Sequence, residues 1–165
     1  MTDGGSKSSV NVRVWSLLLF CMLLAAGCTP ATSVNPPLGW VQIDAGDFSF
    51  HVPPDVKAVP AQGLDSRVGA YQGDFMSVGF DYGAYSDPLN YQRLPGYRSH
   101  GERIGGKSAT IVSYYNPGSG HAFDHAIAVH FPEVNGNLKL TVQVTCKTAT
   151  DYETALTLFR TIQFN

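Results

Sequence analysis

The stretch "LKLTVQVTCKTATDYETALTLFRTIQF", residues 138–164, carries the two hydrophobic periods that decide the fold. Its first ten residues alternate: Leu138, Leu140, Val142, Val144 and Cys146 against Lys139, Thr141, Gln143, Thr145 and Lys147. Side chains of a strand point to opposite faces with period two, so this is a strand with one buried and one polar face. The period then changes. Thr150 through Glu153 fits the capping-box spacing that opens a helix. Tyr152, Ala155, Leu156 and Phe159 follow at i, i+3, i+4 and i+7, a single apolar stripe for packing on a sheet. "TIQF" closes as a short strand with Ile162 and Phe164 inward.

Upstream of this stretch, period two prevails. "WVQIDAGDFSFHV" divides into two short strands around Ala45–Asp47, with Phe48, Phe50 and Val52 on one face. "SRVGAYQ" and "FMSVGFDY" flank Gly73-Asp74, and "YRSHGERI" and "KSATIVSYY" flank Gly105-Gly106. "AFDHAIAVHF" leads to the alternating strand through Asn135-Gly136, a strong hairpin signal because both residues tolerate positive φ. Residues 40–165 therefore read as a single domain of class α+β: a curved antiparallel sheet of roughly seven to nine strands packed against a C-terminal α-helix. The order of an "IGGKSA" hairpin, a long strand pair, a capped helix and a last strand in "RTIQF" resembles the PsbP-like fold. It is also similar to small bacterial lipoproteins. That fold hosts no single chemistry, so the resemblance implies architecture and no activity.

The N-terminal residues read as an address. The run Val14–Ala26 holds no charge, and is shorter than the roughly twenty residues a spanning helix needs. Lys7 and Arg13 precede it and small residues follow it, as in an export signal occupying residues 1–27. Ala25, Ala26 and Gly27 lead into Cys28, and "LAAGC" resembles the lipobox of bacterial lipoproteins. The resemblance implies a diacylglyceryl group on the Cys28 thiol, cleavage before Cys28 and acylation of the new amino group. The membrane is then a partner through those chains, at about 0.8 kcal/mol per buried methylene. Thr29, in place of Asp, implies sorting to the periplasmic face of the outer membrane. An ordinary secretory signal with a cysteine at the cut is the alternative. Residues 28–39, "CTPATSVNPPLG", are uncharged and Pro-rich, a tether between lipid and domain.

Charge and cysteine content narrow the function classes. The net charge of the chain is −2, and loss of Lys7, Arg13 and Asp3 with the signal makes it one unit more negative. No basic run exists to neutralise phosphates, which argues against a nucleic-acid partner. Cys21 leaves with the signal and Cys28 is lipidated, so Cys146 stands alone and no internal disulfide framework is expected. Its place on the apolar face of the strand makes it a core thiol.

Two clusters are candidates for function. "DYGAYSDPLNYQRLPGYR", residues 81–98, gathers Tyr82, Tyr85, Tyr91, Arg93, Tyr97 and Arg98 in a connection long enough to expect a role. Tyrosine and arginine offer apolar area with a hydrogen-bonding tip, the chemistry of recognition surfaces. Tyr114 and Tyr115 extend the patch. The competing reading has these tyrosines closing one end of the sheet. "GSGHAFDHAIAVH" places His121, Asp124, His125 and His130 close together, and imidazole with carboxylate invites a metal. Strand alternation, however, sets His121 and His125 on one side and Asp124 and His130 on the other. GxSxG, SxxK, CxxC and phosphate-binding glycine loops are absent, so no catalytic site and no cofactor are expected. The expected function is a lipid-anchored periplasmic binding or interaction domain engaging an envelope protein through residues 81–98. The alternatives are a metal-assisted hydrolase using His121, Asp124 and His125, and a purely structural envelope lipoprotein.

Overall fold

The computed structural model describes Met1, residues 34–118 and residues 120–165. Cys28, the export signal expected after Met1 and the expected tether up to residue 33 lie outside the described residues. The elements run β1 (Val41–Asp44), β2 (Phe48–Val52), β3 (Lys57–Val59), β4 (Arg67–Gln72), β5 (Met76–Gly83), β6 (Arg98–Ile104), β7 (Lys107–Tyr115), β8 (His125–Asn135) and β9 (Leu138–Cys146). A 3₁₀ turn (Ala149–Asp151), helix α1 (Tyr152–Arg160) and β10 (Gln163–Phe164) complete the chain. No helix among the described residues is long and apolar enough to cross a membrane.

The strands form two sheets, one of seven strands in the order β3-β4-β5-β9-β8-β7-β6 and one of three in the order β1-β2-β10. All pairings are antiparallel. The long alternating strand β9 is central, pairing Val144 with Val78 on one side and with Ile127 on the other. Its apolar face is buried as the sequence implies, with Leu140, Val142, Val144 and Cys146 all 0 % exposed, but its polar face is covered too, Thr141 at 5 % and Thr145 at 4 %. Against the apolar face lies β2, with Phe48, Phe50 and Val52 also at 0 %. The Phe48 ring meets Phe80 of β5 edge-on at 5.2 Å and Tyr82 at 5.7 Å. Each such fully buried side chain contributes roughly 1.5–3 kcal/mol by leaving water.

The α+β class with a single curved, PsbP-like sheet covered by its helix is therefore corrected: the fold is sheet-rich, a β-sandwich with one short helix. Dimensions explain why. A nine-residue helix is about 13 Å long at 1.5 Å per residue, whereas seven strands about 4.8 Å apart span roughly 29 Å. The helix covers only part of that face with Ala155, Leu158 and Phe159, and β2 with its two partners covers the rest. Arg160 ties the helix to β6 through a forked pair, Nε to Glu102 Oε1 at 2.8 Å and the terminal nitrogen to Oε2 at 3.2 Å.

The helix start also differs from expectation. The Asp151 carboxylate, not Glu153, reaches back, accepting the Thr148 N–H and hydroxyl at 2.9 Å each. The cap thus sits two residues earlier, ahead of the 3₁₀ turn.

Four antiparallel steps separate β5 from β6, so these two strands run parallel although consecutive in the chain. Parallel neighbours in sequence need a crossover of a dozen or more residues. Residues 84–97 supply it, passing over the sheet face turned away from β2. Leu89 (2 % exposed), Tyr91, Leu94 and Tyr97 pack there on Val112, Tyr114, Ala126 and Ala128. The sheet is covered on both faces, which is why β8 is buried continuously from Ala126 to Phe131.

Candidate functional site

The crossover scatters the six residues that the sequence groups together. Tyr82 belongs to β5 and points into the core between the sheets, 5 % exposed. Tyr91 lies edge-on to Tyr114 at 4.8 Å, and its hydroxyl donates to the Asp87 carboxylate. Burial and that carboxylate push the Tyr91 pKa up. Burial likewise pushes Tyr114 up to about 12, although its hydroxyl accepts from Gln143 at 2.9 Å. Tyr97 is half-buried on the same small cluster. Tyr85 is 82 % exposed, and Arg93 and Arg98 are exposed. Three tyrosines thus fasten the strap or the core, and Tyr85, Arg93 and Arg98 face solvent.

Hydroxyls hold the strap at its first turn. Thr141 on the polar face of β9 donates to the Asp87 carbonyl at 2.6 Å. Ser86 sits 2.7 Å from the Thr141 hydroxyl and 2.9 Å from the Asp81 carbonyl. His130 Nδ1 lies 2.9 Å from Thr141 Oγ1. Thr141 has spent its one proton on the carbonyl, so the ring nitrogen donates and His130 carries its proton on Nδ1. The Asp87 side chain also accepts the Leu89 N–H at 2.7 Å, which steers Leu89 into a left-handed conformation, φ 61°.

The end of the sandwich where β5 finishes has a different character. The turns 45–47, 105–106 and 136–137 and the residues after β10 converge there around Tyr82. Gly105 and Gly106 both take positive φ, and a Cβ on Gly105 would meet the Ile162 carbonyl at 2.8 Å, so the hairpin lies directly on the strand entering β10. Two recesses flank Tyr82. The first, about 460 Å³, is lined by Asp47, Tyr82, Lys107, Asn135, Phe164 and Asn165 among others. The second, about 580 Å³ and shallower, is bordered by Leu64, Arg67, Ala84 and Leu138. Between them Arg67 pairs with Asp47 and stands over the Tyr82 ring at 4.9 Å. Burial raises the Tyr82 pKa, the Asp47 charge adds to it and Arg67 opposes it. The phenol is therefore neutral at physiological pH. Its hydroxyl is buried and has no hydrogen-bond partner among the described residues.

The histidine cluster opens out instead of closing. His125 begins β8 with its ring 5.0 Å from Tyr115 and 6.2 Å from Tyr152, while His121 and Asp124 are exposed on the preceding loop. His130 lies on the other face of β8, under the strap. Among the described residues no group of three or more histidine, cysteine, aspartate or glutamate side chains is placed to hold a metal ion. Cys146 is 0 % exposed, and burial pushes its thiol up to about 12, so it remains protonated in the core.

Of the residues at the open end, the sequence singled out Tyr82 and Tyr85. Asp47, Lys107 and Asn135 read there as ordinary turn and hairpin residues, which they are. The missed signal is topological: tracing strand directions through the hairpins brings those turns to one end. Protein-family models give no match to this chain, and neither do curated proteins.

Proposed function

We propose that this protein is a lipid-anchored binding domain of the bacterial envelope, tethered by acyl chains on Cys28 at the periplasmic face of the outer membrane. It engages an envelope protein with the sandwich end that carries Leu64 and Tyr85. The observation that supports this reading is the exposure of large apolar side chains at that end. Leu64 is 100 % exposed, Tyr85 is 82 % exposed, and the recess bordered by Leu64 and by Ala84, the neighbour of Tyr85, is open. A tyrosine beside an aliphatic rim is the composition that anchors protein interfaces.

Two measurements test the two halves of the proposal. Intact mass of the native protein should show a chain beginning at residue 28 with added acyl groups, and Cys28→Ser should move the protein from the membrane to the soluble fraction. A native chain that retains Met1, or a Cys28→Ser variant that stays with membranes, defeats the anchor. A photo-crosslinker placed at position 85 should capture one envelope protein, and Leu64→Ser should abolish the capture. Because Leu64 is fully exposed, that substitution should change stability by no more than about 0.5 kcal/mol. Capture that persists in Leu64→Ser, or the absence of any product, defeats the docking surface.

A further inference from the structure

Positive charge gathers at one edge of the seven-stranded sheet although the chain as a whole is acidic, with a net charge of −2. Strand β6 is that edge: it pairs with β7 and has no strand on its other side among the described residues. Arg98 and Arg103 on β6 are exposed, and Lys107, half-buried, follows its turn. Arg93 is exposed in the strap that leads into it. None of the four makes an ion pair among the described residues. The one acid among residues 93–107 is Glu102, and the forked pair with Arg160 occupies it. Glu133 borders a shallow recess with Arg103 and Lys107 without an ion pair to either. The far edge differs. Asp55, Asp65 and Asp74 flank β3 and β4, against Lys57 and an Arg67 already paired with Asp47.

The chain enters the domain beside the basic edge. Val34 lies against the last turn of α1, its N–H 3.5 Å from the carbonyl oxygen of Arg160, the residue that holds Glu102 of β6. Val34 is six residues from Cys28, a length of chain that reaches about 20 Å at full extension. That is less than the roughly 29 Å across the seven strands, so an acyl group on Cys28 keeps the β6 side near the bilayer.

We propose that the β6 edge docks on the membrane itself, with Arg98, Arg103 and Lys107 binding the phosphates of anionic lipid headgroups around the anchor. The inference rests on lipidation of Cys28. Arg98 and Arg103 leave opposite faces of the strand and so straddle its free edge. A guanidinium suits phosphate because two N–H donors of its planar fork meet two oxygens. Each cation alone holds a headgroup weakly, but the tether keeps the edge at high local concentration over the lipids. Basic side chains on a free edge also discourage a further strand from pairing there, which favours lipid over a strand-forming protein. Docked in this way, the sheet leaves Leu64, before β4, and Tyr85, after β5, on the side away from the bilayer.

The mature lipidated protein, floated with vesicles of phosphatidylcholine alone or mixed with phosphatidylglycerol, tests the assignment. A fluorophore is attached at Ser99→Cys on β6 or at Ala58→Cys on β3, both exposed, and spin-labelled headgroups quench it on contact. Cys146 is buried and stays unlabelled. With phosphatidylglycerol, quenching at position 99 should exceed that at position 58 by about twofold or more, since surface charge acts only within a Debye length. The excess should vanish in phosphatidylcholine alone, in high salt, and in Arg98→Glu combined with Arg103→Glu. Both arginines are exposed, so the unfolding temperature of that variant should hold, and the salt series probes the same charges with no substitution at all. Flotation reads the anchor separately. Protein that fails to float defeats the anchor and this inference with it. Protein that floats but is quenched equally at the two positions, or at position 99 regardless of phosphatidylglycerol, salt and charge reversal, defeats the docking edge alone. Self-quenching between labels at position 99 in place of lipid quenching would give the edge to a second copy and overturn the assignment too.

Discussion

His130 couples the stability of the molecule to pH. Its ring is 7 % exposed and donates from Nδ1 to Thr141 at 2.9 Å. Burial and the neighbouring Lys139 lower its pKa, outweighing the opposite pull of Asp87. A histidine whose folded pKa is depressed favours the folded state while neutral. That contribution is complete above the unfolded value of about 6.5 and is lost as pH falls from there toward the lower folded pKa. Unfolding temperature measured from pH 7.5 to pH 5.0 should therefore drop, and His130→Gln, which keeps a donor for Thr141, should flatten the profile in that window. An unchanged slope in the variant would assign the pH dependence to other groups. Nothing in the local sequence announces this role, because His130 shares its face of β8 with only Ala126 and Ala128, and that face is buried only once residues 84–97 cover it.

The crossover strap is the element whose path the sequence did not reveal, and the reason is physical. Hairpins are local: β8 and β9 turn at Gly136-Asn137 between the paired Asn135 and Leu138, after an irregularity between Phe131 and Asn135. "GG" at 105–106 joins the paired Ile104 and Lys107. Strand order is not local. No feature of residues 81–98 states that β6 lies four strands from β5, so a segment needed to cross the sheet looked like a free recognition loop. Short β3, exposed throughout, escaped notice for lack of any hydrophobic alternation. The small residues under the strap were the available clue. Ala126 and Ala128 interrupt an otherwise bulky strand at 2 % and 0 % exposure, which lets the strap lie close to the sheet. Ala128→Leu should overpack that contact and cost about 1–3 kcal/mol, read as a lower urea midpoint with an unchanged slope. A variant as stable as the wild type would mean that the strap lifts freely. Leu89 shows the same closeness: a left-handed backbone costs a side-chain-bearing residue roughly 1–2 kcal/mol, which burial of its side chain offsets.

At the scale of the whole molecule, the small sheet cannot stand alone. β10 pairs only Gln163 and Phe164 with β2, and β1 contributes four residues, of which only Ile43 is even half-buried. The inner face of β2 finds its partners in the other sheet, where Phe48 and Phe50 pack against Phe80, Tyr82 and Tyr71. The two sheets and α1 therefore share one core and should unfold in one transition. Phe48 sits at its middle, so Phe48→Ala should cost about 3–5 kcal/mol through lost transfer energy and an unfilled cavity. Domains of this size have about 5–15 kcal/mol in all, and Phe48→Leu, which retains most of the volume, keeps the effect measurable if the alanine variant unfolds. Near-ultraviolet circular dichroism reports aromatic packing between the sheets, and the far-ultraviolet signal reports the strands of both. In wild type and Phe48→Leu alike the two should be lost at one denaturant concentration. If the aromatic signal disappears first while the strand signal persists, the seven-stranded sheet holds together without β2, and its strap and helix would be enough to keep it from opening.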